Sequence, residues 1–329
     1  LVKNKKSAPA YLGLGLSLLG NGDKDNAFRA FNKALEIDPN QDAAQFEVAR
    51  LYREMDFADE AIRRLDLLLK KDPVNAQYHN ERGLAYQKVE VFGPAEESFL
   101  KAVTVDPGNN DFLINLAFAQ AKNNKFAEAE RNYRAALLKE PENGVLLAFF
   151  GSFLVERSQA TGNSAMLKEA EDILKKSLAL SPNNFTASFG LGNLYLNRGD
   201  AAVALPYLMA ANRQNPEINV VYYRLAVAYT KIGDKDKAKL YRKESERRTE
   251  YFNRRSNTEQ LTRESPKDPA LRIKLARTYA EGGDLTRAIN QYQVYLTMKP
   301  EDATARKERD ALVKKAGSSN VDIPRSEGS

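Results

Sequence analysis

The chain has 329 residues, 43% of them hydrophobic and 29% charged, which is enough apolar material for a folded protein and excludes wholesale disorder. Its 50 basic and 44 acidic residues leave a net charge of +6, but the two signs are mixed along most of the chain instead of being concentrated as nucleic-acid binders concentrate them. The lack of cysteine excludes disulfides, thiolate metal sites and cysteine nucleophiles, and it favours a bacterial envelope or periplasmic space slightly over the cytoplasm.

Proline punctuates the chain at Pro39, Pro73, Pro107 and Pro141, in steps of 34 residues. Each proline follows an amphipathic run and ends it, because proline lacks an amide hydrogen and biases the preceding residue away from helical geometry. Repeat one carries Tyr11, Leu14, Gly15, Leu18, Ala27, Phe31 and Ala34 before Pro39. The equivalent slots of the next three repeats hold Val48, Ala49, Tyr52, Ala61 and Leu65, then Gly83, Tyr86, Ala95 and Phe99, then Leu116, Ala117, Ala129 and Tyr133. Apolar spacings of three and four predict two amphipathic helices per unit, joined by polar turns such as NGDKD. The small slots let the two backbones approach closely.

This pattern resembles the tetratricopeptide repeat over residues 8 to about 302. The resemblance implies an all-α, right-handed superhelical solenoid of about eight antiparallel helix pairs, with the first helix of each pair lining a concave face. Seven repeats are expected over 8–252. Repeat five carries seven extra residues at about 155–169, since its proline, Pro182, lies 41 residues after Pro141. Either both helices lengthen by about one turn or the turn bulges. The run GVLLAFFGSFLV at 144–155 falls short of the roughly 18 apolar residues of a membrane-spanning helix, so a membrane is expected only indirectly, through a partner or an N-terminal anchor.

Repeat seven has Glu250 where the proline belongs, so its second helix is expected to run to about Phe252 or beyond. The segment 253–268 is either its continuation or a short extra helix. An eighth repeat follows over 269–302, then a polar capping helix over 303–316 and a disordered tail over 317–329. No capping helix precedes repeat one, and this predicts further sequence upstream.

No enzyme is expected, and no cofactor or metal. The single histidine, His79, occupies a large core slot and has no second ligand. LGLGLSLLGNG lacks both the preceding strand and the Lys-Ser/Thr pair of a phosphate loop. Carboxylate pairs such as Glu96 with Glu97 and Glu169 with Glu171 are expected on solvent faces, with nothing to raise a pKa.

The resemblance places the groove positions one and five residues past each leading slot. These are Leu12 and Leu16, Phe46 and Arg50, Asn80 and Leu84, Ile114 and Phe118, Ala148 and Ser152, Phe189 and Asn193, Tyr223 and Val227, and Ile273 and Arg277. Ten of these sixteen are large and apolar, which points to an interaction surface. Ile114, Phe118 and Phe189 are expected as its walls, with Ala148 on its floor. The subclass that grips a C-terminal carboxylate uses Lys, Asn and Arg here, and in the first three repeats only Arg50 and Asn80 have that chemistry. Leu12, Leu16 and Leu19 form a second apolar stripe, on repeat one, for a missing helix, a partner or a second copy of the chain. Leu14, Leu116 and Leu191 take equivalent core slots.

The expected function is a non-catalytic scaffold or adaptor that binds peptide or helical segments of other proteins, with no small-molecule substrate. Two alternatives are a regulatory or targeting region of a larger enzyme, and RNA or nucleoprotein binding through Lys231 to Glu264, where 11 basic residues meet 7 acidic ones. Mixed signs favour a solvated helix over that nucleic-acid reading.

Overall fold

The computed structural model describes residues 7–55 and 57–316. The tail expected after these lies outside the described residues. Among the described residues there are seventeen helices and no strand, so the protein is the all-α helix-pair solenoid that the 34-residue step predicts. The chain divides into two units between Gln214 and Asn215.

The first unit holds six hairpins. They are α1 (Ala8–Gly20) with α2 (Lys24–Ile37), α3 (Asp42–Glu54) with α4 (Ala58–Lys71), α5 (Ala76–Lys88) with α6 (Phe92–Val105), α7 (Asn110–Lys122) with α8 (Phe126–Lys139), α9 (Gly144–Thr161) with α10 (Ser164–Leu180), and α11 (Phe185–Arg198) with α12 (Ala201–Gln214). The second unit holds α13 (Asn219–Ile232) with α14 (Lys235–Glu264), α15 (Pro269–Glu281) with α16 (Leu285–Met298), and α17 (Ala303–Lys315) at the end.

Short polar side chains start many of these helices. Asn75, Asn109, Asn143 and Asn184 each accept a backbone N–H from the first turn of α5, α7, α9 and α11, satisfying donors that have no partner within the helix. The turn between the two helices of a pair needs one left-handed residue. Glycine supplies it at Gly22, Gly199, Gly233 and Gly283, whereas Glu90 and Asn124 adopt it at φ 58° and 62°.

Within a pair, the small slot of the first helix receives a large side chain of the second. A Cβ on Gly15 would lie 2.4 Å from the Phe31 ring. Between pairs, each second helix of the first unit up to α10 packs on the first helix of the next pair. This contact buries Val48, Phe150 and Leu191 completely and leaves Leu116 3% exposed. Leu14 departs from the expected core slot and is 49% exposed, because α1 opens the stack and no described second helix precedes it.

From α3 to α11, neighbouring first helices also touch one another, whereas neighbouring second helices make no comparable contact. The first unit therefore curves toward its first helices, which form the inner layer.

Two irregular segments resolve differently. The insertion in repeat five lengthens both helices, α9 to 18 residues and α10 to 17, around a left-handed Gly162. In the second unit α14 is one continuous helix of 30 residues, about 45 Å long. Its first half faces α13, with Tyr241 stacked 5.4 Å from Tyr229 and the Arg248 guanidinium 4.3 Å above the Tyr222 ring. Its second half packs on α15. There Glu259 accepts the Tyr279 hydroxyl at 2.7 Å, and Tyr251 fills the space beside Gly282. Thr258 and Thr262 are buried on this second half and donate to carbonyls one turn back, leaving neither hydroxyl unsatisfied.

Candidate functional site

The inner layer of the first unit changes character along the stack. At its start, Leu12 and Leu19 do not form the exposed stripe expected with Leu16. Both lie against the cluster of Phe28, Phe31, Val48 and Leu51, because α1 packs along α2 and this cluster fills the space between them and the start of the next pair. The open apolar side chains of α1 are Leu16, 47% exposed, and Leu14.

Next comes a polar stretch. Phe46 packs on Tyr78 with ring centroids 5.0 Å apart, and the Arg50 guanidinium lies 6.0 Å from the Phe46 centroid. Arg50 also sits 3.0 Å from Glu47 and 3.9 Å from Glu81, while Arg53 donates to Glu81 at 2.9 Å. Asn80 is buried and accepts from Asn115 at 2.9 Å. The two residues with chemistry suited to a partner's carboxylate are thus engaged within the protein. Leu84 is half-buried beside Phe99 and Leu116.

An aromatic stretch follows. Ile114 and Ala148 are buried, at 6% and 1% exposure, so they lie beneath the surface and do not form a wall or an open floor. Phe118 is partly exposed and lies between two other rings, Phe92 at 6.2 Å and Phe149 at 5.7 Å. Phe118 and Phe149 stand on the inner helices α7 and α9, and Phe92 reaches Phe118 from the start of the second helix α6, so the ladder spans three hairpins. The Lys122 ammonium lies 5.5 Å from the Phe118 centroid; in the next pair contact along the stack, the Arg157 guanidinium of α9 lies 4.0 Å from the centroid of Phe126 on α8. Sequence reasoning missed Phe92, Phe126 and Phe149. Phe92 and Phe126 recur 34 residues apart at the start of second helices, and that recurrence was the available signal; Phe149 stands one residue past an assigned position.

Farther along, α9 and α11 approach closely. A Cβ on Gly190 would lie 2.9 Å from the Ser152 hydroxyl, which donates to the Thr186 carbonyl at 3.4 Å, so Ser152 serves helix packing. Phe189 stacks on Phe185 at 5.8 Å and 7°. Asn193 is half-buried, with its side-chain oxygen enclosed and unpaired.

In the second unit Tyr223 is 55% exposed, and Val227 is half-buried. Ile273 packs against Tyr292 and Tyr295, and Arg277 is held by both oxygens of Glu308 at 3.0 and 3.1 Å. Along α14, Glu244 accepts from Arg247 and Arg248, and Glu281 from Arg254. Lys235, Lys239, Arg242 and Lys243 are exposed on its first half.

His79 is buried and donates Nε2–H to the Pro73 carbonyl at 2.9 Å when protonated there. Burial holds its imidazole below its ordinary pKa. Glu96, expected on a solvent face, is instead buried against Asn123 and Lys125. The Lys175 ammonium and the Tyr195 hydroxyl keep the Glu171 carboxyl below the usual carboxylate range. Among the described residues no three His, Asp or Glu side chains converge as metal ligands would, and no helix is long and apolar enough to cross a membrane.

A tetratricopeptide-repeat family model matches residues 18–82, and a second one matches residues 167–217, 189–247 and 256–303. Together they cover more than half of the chain. The BBSome complex member BBS4 of Bos taurus is 24% identical over 231 residues, covering 70% of this chain and 36% of that protein; the chain thus spans about a third of its relative's length. Among solved structures, the APC/C hetero-tetramer Cut9-Hcn1 is similar with a TM-score of 0.54 and 20% identity, over 91% of this chain and 55% of that one. The human IFIT1 dimer with PPP-AAAA is similar with a TM-score of 0.61 and 14% identity, over 89% of this chain and 73% of that one. These structural likenesses concern the fold. By its repeat matches and its stacked helix pairs, the chain belongs to the tetratricopeptide-repeat family.

Proposed function

We propose that this chain is a non-catalytic scaffold or adaptor that holds a segment of another polypeptide on the inner layer of its first unit. Tetratricopeptide-repeat proteins mediate protein–protein interactions, and the observation that carries the reading here is the ladder Phe92, Phe118 and Phe149. Three partly exposed rings, with Phe118 touching each of the other two, keep apolar surface in water, and covering that surface yields about 25 cal/mol per Å². Aromatic side chains at the centre of a contact carry a large share of binding energy. The curated relative is by name a member of a multi-subunit complex, and the proposal extends a role in complex assembly to this chain. The ion pairing of Arg247, Arg248 and Arg254 weighs against a phosphate-binding surface on α14.

The test is affinity capture from a lysate of the source organism with wild type, Phe118→Asp and Phe149→Asp in parallel, with helical content followed by circular dichroism. Partners retained by wild type and lost by both folded variants support the reading. Equal retention by all three proteins, or retention abolished only by Lys239→Glu with Arg242→Glu and falling steeply with salt, would sink it.

A further inference from the structure

Resting on the groove reading above, we infer that the bound segment carries an aspartate or glutamate beside its apolar anchor, and that the insertion in hairpin five exists to recognise this side-chain carboxylate. Aligned on Leu113 and Leu147, Arg157 falls at the slot of Asn123, where α7 has already ended. Arg157 is helical only because α9 continues past that point, to Thr161. The added turn lays its guanidinium over Phe126 at 4.0 Å. A guanidinium stacked on a ring keeps its N–H edge free to grip a carboxylate with two parallel hydrogen bonds.

Lys122 supplies a second positive charge, tied to the Arg157 segment through Glu156. It sits 5.5 Å from the Phe118 centroid, and its contact with Glu156 is long, 3.8 Å between exposed side chains. Such a pair contributes little and yields readily to a better partner. The other cations nearby are engaged: Lys125 with Glu96 at 2.8 Å, and Arg134 with Glu130 and Glu169 at 2.8 Å. Lys122 thus stands at the ladder through Phe118, and Glu156, which it faces, is the residue immediately before Arg157. An apolar residue on Phe118 and Phe149 places an acid about one helical turn away within reach of Lys122 and the adjoining Arg157 segment. A chain terminus fits less well, because it needs several converging donors and Arg50 and Asn80 are already engaged.

The experiment is selection of random dodecapeptides displayed as N-terminal fusions, whose C-termini are blocked, against the full chain. Enriched sequences are expected to pair Leu, Phe or Tyr with Asp or Glu within four residues. A synthetic peptide from that set should bind wild type about tenfold tighter than its Lys-substituted counterpart. Lys122→Glu with Arg157→Glu should reverse that order, and Arg157→Gln alone should narrow it. Phe118→Asp should weaken both peptides. Enrichment of neutral or basic sequences that still depend on Phe118, or an order unchanged by the charge reversal, overturns the carboxylate inference and leaves the groove reading standing. Binding indifferent to Phe118→Asp, or no enrichment at all, overturns both.

Discussion

The backbone of Gly83 lies against the ring of Phe99, so closely that a Cβ on the glycine would fall 2.5 Å from Cε1. Phe99 is fully buried and cannot swing away without repacking its neighbours. Gly83→Ala should therefore destabilise the protein by about 1–3 kcal/mol, read as a lower urea midpoint with unchanged slope. Repeat two pairs Ala49 with Leu65 at the same slots, so adding Phe99→Leu should recover part of the loss. A neutral single variant would show that the two helices separate more easily than the packing implies.

The half-exposed Leu14 separates repeat register from position in the stack. Leu191→Ala, at a fully buried site, should cost about 2–5 kcal/mol. Leu14→Ala should cost less than about 1 kcal/mol. Equal losses would mean that something covers α1 in solution.

Glu90 holds a left-handed conformation, φ 58°, that costs a side-chain-bearing residue about 1–2 kcal/mol. Glu90→Gly should stabilise the protein by about 0.5–1 kcal/mol, the gain being reduced by glycine's greater freedom in the unfolded chain. Asn124 at φ 62° tolerates this region better, so Asn124→Gly should gain less. Thermal unfolding of both variants checks the order.

His79 gives a pH dependence of known sign. Burial, helped by the charges of Arg82 and Lys101, lowers its folded pKa below the ordinary 6.5. The unfolded chain then takes up the proton first as pH falls, so the contribution is intact above about pH 6.5 and is lost as pH drops through 6.5 toward the folded value. Urea unfolding at about pH 7.5 and about pH 5.5 should show a smaller pH difference in His79→Leu than in wild type. An undiminished difference would assign the effect to other groups.

The fold was legible because its determinants are local. Prolines such as Pro73 and Pro107, the small slots Gly15 and Gly83, and the three-and-four spacings each act within one hairpin, whereas for repeat five helical phase allowed either longer helices or a bulged turn, and the structure takes the first. The surface was less legible, because exposure on the inner layer depends on how near the next first helix comes. The approach of α9 to α11 that engages Ser152, the covering of Ala148 and Ile114, and the pairing of Asn80 with Asn115 across 35 residues are relations between hairpins. Arg50 likewise has the right charge in sequence, but Glu47 and Glu81 meet it in the fold.

Most hairpins of this chain end at a proline, and each such boundary is a place where one pair can come undone while its neighbour persists. The helix α14 has no such seam: its leading half closes one pair and its trailing half supports the next, on a single unbroken run of backbone bonds. The C-terminal pairs should accordingly fray and reform together as one cooperative block, making hydrogen exchange at Tyr229 and Tyr279 rise in step instead of one after the other.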